Sequence, residues 1–405
     1  MPETISVHCC IAGGGPAGMM LGLLLARAGV SVLVLEKHPD FLRDFRGDTL
    51  HPSTLEIIHE LGLLERFLRL PHQKVQRINA RFGDLEFTVA DFSHLPTQCR
   101  YVAFMPQWDF LNFLVEVGNR YPGFHVRMSA EVTDVIEIGG SIVGLRAQTA
   151  TGPLEIRTAL VIGADGRHSI VRKRAGLPVE EFGAPMDVLW FRLSRNPEDP
   201  VDPMGRFDTG RIFIMLNRGD YWQCGFVIAK GSLDEIRARG LPLFRASVAK
   251  LAPFAADRVH ELQDWEPIKL LTVQVDRLQQ WYKPGLLCIG DAAHAMSPVG
   301  GVGINLAIQD AVAAANLLTQ PLRDGSVTDA DLAKVQARRM WPTQLTQRAQ
   351  LIVQNRVIRQ VLDSKVPLSP PWAVQLLARF PFLRRIPARM IGLGVRPEHV
   401  QTPVG

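Results

Sequence analysis

The stretch that most restricts the fold is Gly13-Gly-Gly15-Pro16-Ala17-Gly18, set between an apolar run, Ile5 to Ala12, and a helical pattern through Leu21, Leu24, Leu25 and Ala28 that stops at Gly29. Strand, tight turn and helix follow in that order, the opening of a βαβ unit. Gly13 permits the sharp turn, Gly15 lets backbone approach a pyrophosphate, and Gly18 lets the helix pack against the strand. Backbone N–H groups around Pro16 and Ala17, at the helix start, then face the anion. A second apolar strand, Ser31 to Leu35, ends in Glu36 with Lys37 beside it, about twenty residues past the glycines, where a carboxylate accepts hydrogen bonds from ribose hydroxyls. A glycine cluster alone is weak; in this context it specifies a dinucleotide site.

With 405 residues the chain has room for about two domains, each with its own core. Its net charge of +5 comes from scattered basic residues, which suggests no nucleic acid partner. Cys9, Cys10, Cys99, Cys224 and Cys288 show no paired-ligand spacing. No metal site is therefore expected, and they read as small core residues in a reducing, cytoplasmic compartment. The most apolar stretch, Met19 to Leu35, is interrupted by Arg27 and Gly29 and is already explained as helix plus strand, so neither a membrane span nor a signal peptide is expected.

Two later segments sharpen the reading. Ala159-Leu-Val-Ile-Gly163 is an apolar run ending in the tight turn Ala164-Asp165-Gly166. Farther on, a turn at Lys283-Pro-Gly285 leads into a strand, Leu286 to Ile289, that delivers Gly290 and Asp291 at its carboxyl end, where open α/β sheets bind ligands. Gly300, Gly301 and Gly303 then precede a helical pattern from Ile304 to Leu318, whose free N–H groups suit the pyrimidine edge of a flavin and favour negative charge on its reduced form. Paired with the N-terminal turn, this segment points to bound FAD. His294 reads as a loop histidine held by backbone bonds. Between these motifs, Ser53 and Glu56 have capping-box spacing and predict a helix through Leu61, placing Arg46 in the loop before it. A further helix is expected from near Gln107, followed by a β-meander from 124 to 156.

The glycine-rich βαβ, then Gly-Ala-Asp-Gly, then Gly-Asp-Ala-Ala-His followed by Pro-x-Gly-Gly-x-Gly-x-Asn resembles the class A flavoprotein monooxygenases, the p-hydroxybenzoate hydroxylase-like group, over roughly residues 1 to 320. The resemblance implies an α/β fold: a glutathione-reductase-like, Rossmann-type FAD domain from residues 1–72, 100–176 and 281–325, a mostly antiparallel β-sheet substrate domain from 73–99 and 177–280, and a C-terminal helical region, 326–405. It implies that Glu36 binds the adenosine ribose, that Arg46 and Gln107 contact the ribityl or phosphate region, and that Asp165 lies near the pyrophosphate and the passing nicotinamide. It likewise implies that Asp291 holds the ribityl chain and that Gly301, Val302, Gly303, Ile304 and Asn305, in the loop opened by Pro298, meet the isoalloxazine ring. Ser297 and Val302 depart from the residues frequent at those positions, so the contacts expected there are backbone ones. NADH or NADPH would bind transiently, since a second glycine fingerprint is absent. The implied reaction is hydroxylation of an aromatic or electron-rich small molecule by O₂ through a flavin C4a-hydroperoxide; no catalytic acid or base is singled out.

The strands expected between 177 and 280 offer Trp190, Phe213, Met215 and Trp222, with Pro298, as candidate pocket walls, although core packing suits each equally. Alternation puts Phe213 and Met215 on one face and Ile212 and Ile214 on the other, without saying which is the pocket. Ala330 to Val357 reads as a long helix rich in arginine and glutamine. The apolar, basic tail from Pro371 would dock on the first domain, form a homodimer contact, or lie on a membrane surface, the last disfavoured by Pro381 and Pro387. Competing readings are an FAD-dependent reductase or dehydrogenase and a non-enzymatic GDI-like binding protein. A flavin halogenase is disfavoured by the missing Trp-x-Trp-x-Ile-Pro motif.

Overall fold

Strand Glu3–Ala12 runs through the middle of an eight-stranded sheet in the computed structural model, which describes residues 3–42, 48–366 and 368–405. It pairs in parallel with Val32–Leu35 on one side and Gly152–Gly163 on the other. Leu286–Cys288 and Phe124–Arg127 extend the parallel order outwards. Parallel strands need crossover connections that cover both faces, which is why Cys9 to Ala12 and Val32 to Leu35 are apolar without alternation and wholly buried. Ala130–Ile138 and Ser141–Thr149 form the antiparallel meander expected from the sequence, joined to the sheet through Gly152–Gly163. Helices Pro16–Arg27, Gln107–Gly118 and Gly303–Arg323 pack with this sheet in the main core. The segment Val299–Arg323 has the length and apolarity of a membrane span, but 78% of its apolar window is buried as a core helix.

A second, seven-stranded sheet runs in the order Lys269–Leu271, Met186–Ser194, Tyr221–Ala229, Arg211–Asn217, Met204–Asp208, Arg77–Phe82, Leu85–Asp91. It is antiparallel except where Met204–Asp208 meets Arg77–Phe82. Gln73–Val75 belongs instead to a three-stranded sheet with Thr49–Leu50 and Val102–Phe104.

The two faces of the seven-stranded sheet settle a question that alternation left open. Phe213, Met215 and Trp222 point into a cluster with Phe191, Phe244 and Val248, closed by helices Leu233–Arg239 and Leu241–Leu251. They are fully buried, and the Trp222 indole N–H donates to Asp199 at 2.8 Å, itself clamped by Arg258. These three candidates are therefore core side chains, packed away from the first sheet. The opposite face, with Val188, Ile212, Ile214 and Trp190, meets Val299 and Leu362.

Two further expectations change. The helix after the Arg46 loop is Pro52–Glu60, starting one residue before Ser53, with His51 as N-cap and Pro52 at its first position. Proline fixes the backbone angle of a first turn, so Ser53 falls inside the helix; its hydroxyl has no partner among the described residues, and Glu56 accepts from the Gln98 N–H instead. The capping box occurs at Thr328 and Asp331, opening helix Asp329–Val353. The tail docks in two places: residues 372–392 lie against strand Leu85–Asp91, while Glu398, His399 and Thr402 bond to Arg338, Glu60 and Arg27 of the first layer.

Because Phe213 is core, Phe213→Ala is expected to cost about 3–5 kcal/mol in urea unfolding. Substrate KM in the folded fraction should stay unchanged; a selective rise in KM at unaltered stability would return Phe213 to the pocket.

Candidate functional site

The glycine turn shows which positions are tight and which are open. Gly13 has φ +107°, and a Cβ there would lie 2.3 Å from the Ala164 carbonyl oxygen, so the turn rests against the end of strand Gly152–Gly163. A Cβ on Gly18 would come within 2.0 Å of the Gly13 oxygen. At Gly15, the N-cap of helix Pro16–Arg27, nothing lies within 4 Å, and the first turn carries no acidic residue. That is an open cradle with helix N–H groups behind it, the environment a pyrophosphate takes. Glu36 sits at its rim: one carboxylate oxygen accepts from Gly14 N–H at 3.0 Å and the other from His38 N–H at 3.1 Å. Lys37 is exposed. These residues fit the adenosine and diphosphate of a dinucleotide.

Asp165 lies beside this turn through its backbone, but its side chain is occupied elsewhere. It accepts from Ser169 Oγ at 2.5 Å and from the N–H groups of Ile170 and Val171, capping the short helix Ile170–Arg174; burial nevertheless pushes its carboxyl above the usual range. Arg172, in that helix, forms a buried two-pronged pair with Asp276 at 3.2 and 3.3 Å and donates to the Ala292 carbonyl. The Asp165 turn and the Asp291 loop are thereby held together.

Gly290 and Asp291 follow strand Leu286–Cys288 in a single helical turn. Its anchor is Asp310, wholly buried on helix Gly303–Arg323. One oxygen of Asp310 accepts from Gly290 N–H at 3.1 Å and meets His294 Nε2 at 2.5 Å; the other accepts from Arg339 Nε at 2.9 Å. Burial alone would raise this carboxyl, but His294 and Arg339 outweigh it and hold it below its usual range. His294 also packs against the Trp281 ring, 4.9 Å between centroids. The histidine is thus held by a carboxylate and an indole as well as by its own N–H to Gly290, beyond the backbone bonds expected.

From Ala295 to Val299 the loop is laced to helix Asp329–Val353. Gln347 donates to the Ala295 carbonyl at 3.1 Å, and Gln350 donates to the carbonyls of Ser297 and Val299 while accepting the Ser297 N–H. Gln354 donates to the Ser297 hydroxyl. Arg339, Thr343, Gln347 and Gln350 form a buried polar stripe along this helix, continued by Gln354 just past its end. The sequence showed this segment as a long helix rich in arginine and glutamine but left it without a function.

Gly301 to Asn305 is tied to the loop that follows Arg46. Thr49 Oγ1 donates to the Gly301 carbonyl, and Asn305 accepts from His51 N–H at 2.9 Å and from Thr54 Oγ1 at 2.6 Å. Asn305 therefore works as a brace, while Val302, Gly303 and Ile304 begin the helix. Arg46 itself lies outside the described residues. Gln107 begins its helix with its N–H on Asp48 at 3.3 Å. Asp48, raised by burial against the pull of Arg218, pairs with that arginine at 2.9 Å, joining the start of the three-stranded sheet to the hairpin after Arg211–Asn217, and Arg218 lies over Phe104.

Against this loop, through Val299, stands the second face of the seven-stranded sheet, which Ile358, Val361 and Leu362 also cover. Trp190 lies over Gly225, where a Cβ would be 3.0 Å from the indole ring, and half-buried Pro298 enters from the loop side. Of the five candidate pocket residues, Trp190 and Pro298 are brought to the junction and Phe213, Met215 and Trp222 are not. Residues the sequence reading missed, Asp48, Arg192, Arg218 and Gln223, give this face a polar end, with Arg192 over the Tyr221 ring. Strand alternation once the pocket face is known would have found Arg192 and Gln223.

The family model for the FAD binding domain matches residues 6–349, and the chain belongs to this family, the class A flavoprotein monooxygenases. It is 31% identical over 383 residues to 6-methylpretetramide 4-monooxygenase of Streptomyces rimosus, covering 94% of this chain and 91% of that protein. It is 28% identical to dialkyldecalin synthase of Streptomyces rugosporus, covering 75% of this chain and 63% of that one. Among solved structures, p-nitrophenol 4-monooxygenase from Pseudomonas putida superposes with a TM-score of 0.77 at 21% identity, covering 96% of each chain, a likeness of fold.

His51 gives the site a pH signature. Its Nδ1 lies 2.7 Å from the Ile391 carbonyl, and burial pulls its pKa from 6.5 to about 4. The unfolded chain binds the proton first, so the stability of the neutral ring is present above 6.5 and falls as pH drops towards 4. Urea unfolding should lose roughly 3 kcal/mol more in the wild type than in His51→Asn across that window. Parallel losses in both proteins would contradict a buried neutral His51.

Proposed function

We infer that this protein is an FAD-dependent monooxygenase that uses NADH or NADPH and O₂ to hydroxylate an aromatic or similarly electron-rich small molecule. The observation that carries the reading is the open cradle at Gly15, rimmed by Glu36, with the Gly290 turn beside it, where a Cβ on Gly290 would lie 3.3 Å from the Ala17 side chain. Bound FAD supplies hydride acceptance and oxygen activation. The chain's own part is to hold the cofactor, orient the substrate and keep water out.

In this reading Gly13, Gly15, Pro16, Ala17 and Gly18 hold the pyrophosphate, Glu36 takes the ribose hydroxyls with Lys37 alongside, and Asp291 takes the ribityl chain. Arg46 and Gln107 are assigned, through the family resemblance, to the ribityl or phosphate region. Pro298 and Gly301 to Ile304 present backbone to the isoalloxazine ring, and the start of helix Gly303–Arg323, free of acidic residues in its first turn, favours negative charge there. Asp165 contributes by its backbone and its cap. Trp190 and Pro298 wall the substrate. The eight-stranded sheet is assigned to a glutathione-reductase-like FAD domain, the seven-stranded sheet to an inserted substrate domain, and residues 326–405 to a C-terminal helical region. Five unpaired, buried cysteines support a cytoplasmic setting.

Two measurements test this reading. The purified protein should show a flavin spectrum, and in ¹⁸O₂ its NAD(P)H oxidation should place one labelled atom in an aromatic product. Flavin-dependent turnover without label would instead favour non-oxygenating chemistry. Glu36→Ala should weaken FAD binding by roughly 10- to 100-fold, the value of charge-assisted hydrogen bonds lost; undiminished flavin after gel filtration would remove Glu36 from the site.

A further inference from the structure

The segment from Trp372 to Gly392 presents a surface that the monooxygenase reading leaves unused. Helix Trp372–Arg379 carries Trp372, Leu376 and Phe380 outward at a spacing of four, and the turn and helix spanning Pro381–Gly392 carry Phe382, Ile386 and Met390 at the same spacing. Trp372 is 79% exposed, Phe382 63% and Ile386 59%. Pro381 divides the two helices, but Phe380 and Phe382 meet edge to face at 6.2 Å and join the stripes into one patch. The inner side is already satisfied: Ala388, Ile391 and Leu393 pack with Val75, Phe92 and Phe104.

Within this segment the charge has one sign. Residues 364–397 contain Lys365, Arg379, Arg384, Arg385, Arg389 and Arg396 and no aspartate or glutamate. Arg379, Arg385 and Arg389 are exposed. Outward Trp, Phe, Ile and Met flanked by arginines suit insertion at the headgroup boundary of an anionic bilayer, where the rings and aliphatic chains leave water and the guanidinium groups meet lipid phosphates. A second copy is a poorer occupant, because a two-fold contact would set these arginines against their own equivalents.

We propose that this patch docks the enzyme on the surface of an anionic membrane. The same segment touches the site: Ile391 accepts from the His51 ring and lies 3.9 Å from where a Cβ on Gly300 would stand, and Leu393 accepts from Gln309. Docking would therefore set the loop that meets the flavin close to the lipid, within reach of a substrate dissolved there.

The test uses the full-length flavin-loaded protein with vesicles of phosphatidylcholine alone or mixed equally with phosphatidylglycerol. The protein should sediment with the mixed vesicles, weakly with the neutral ones, and less as salt is raised. Its tryptophan emission should shift to the blue on binding, and Trp372→Phe should remove the shift. Phe382→Ser with Ile386→Ser, and separately Arg385→Gln with Arg389→Gln, should each weaken binding by about tenfold or more at unchanged flavin content. Absence of vesicle binding, or binding untouched by either pair of substitutions, would overturn the proposal. A dimer in sedimentation velocity that Phe382→Ser with Ile386→Ser dissolves, without vesicle binding, would overturn it in favour of a contact between copies.

Discussion

A single buried carboxylate, Asp310, joins the parts of this protein that must agree if the site is to exist. It meets the turn that carries Asp291 through Gly290, the loop beyond through His294, and the long C-terminal helix through Arg339. Arg339 passes the connection on to Glu398 in the tail at 3.2 Å. A charge without solvent is tolerable only when every lone pair is met, and removing one partner from such a pair costs about 3–5 kcal/mol. The Arg172–Asp276 pair does the same service for the Asp165 turn. The two networks fix the distance between the pyrophosphate end and the loop assigned to the ring, while the parallel sheet fixes their direction.

The glycine turn, Glu36 and the Gly290–Asn305 loop were legible in the sequence because their demands are local. A positive φ, a close backbone approach or a strand that must end in a carboxylate leaves a mark within a few residues. Helix Asp329–Val353 was legible as a helix, expected over 330–357, but the role of its buried face was not. That face starts with Leu332 and Val335 but continues as Arg339, Thr343, Gln347 and Gln350, so the apolar periodicity that announces a packed helix stops partway, and the polar residues in isolation read as a solvated face. The two faces of the seven-stranded sheet could not be told apart because alternation gives a period and no direction. Phe213 and Trp222 looked as fit for a pocket as Trp190 until helices Leu233–Arg239 and Leu241–Leu251 were seen to cover them. At Ser53 a capping pattern lost to the stronger local rule of proline at the first helical position.

The sheet face proposed to meet the substrate carries Trp190 and Ile214, and the Asp48–Arg218 pair lies at its end. The pair also ties the hairpin after Asn217 to the chain just before strand Thr49–Leu50. Function here thus rests on polar braces behind an apolar surface, with the chemistry left to the flavin.

The measurement that reaches the centre of this account is FAD affinity in Asp310→Asn. The substitution keeps the shape and removes the charge that Arg339 and His294 answer. The account predicts flavin-poor protein with weakened FAD binding and lowered thermal stability, partly restored by excess FAD. A protein of normal stability that retains its full flavin would show that Asp310 does not hold the site together.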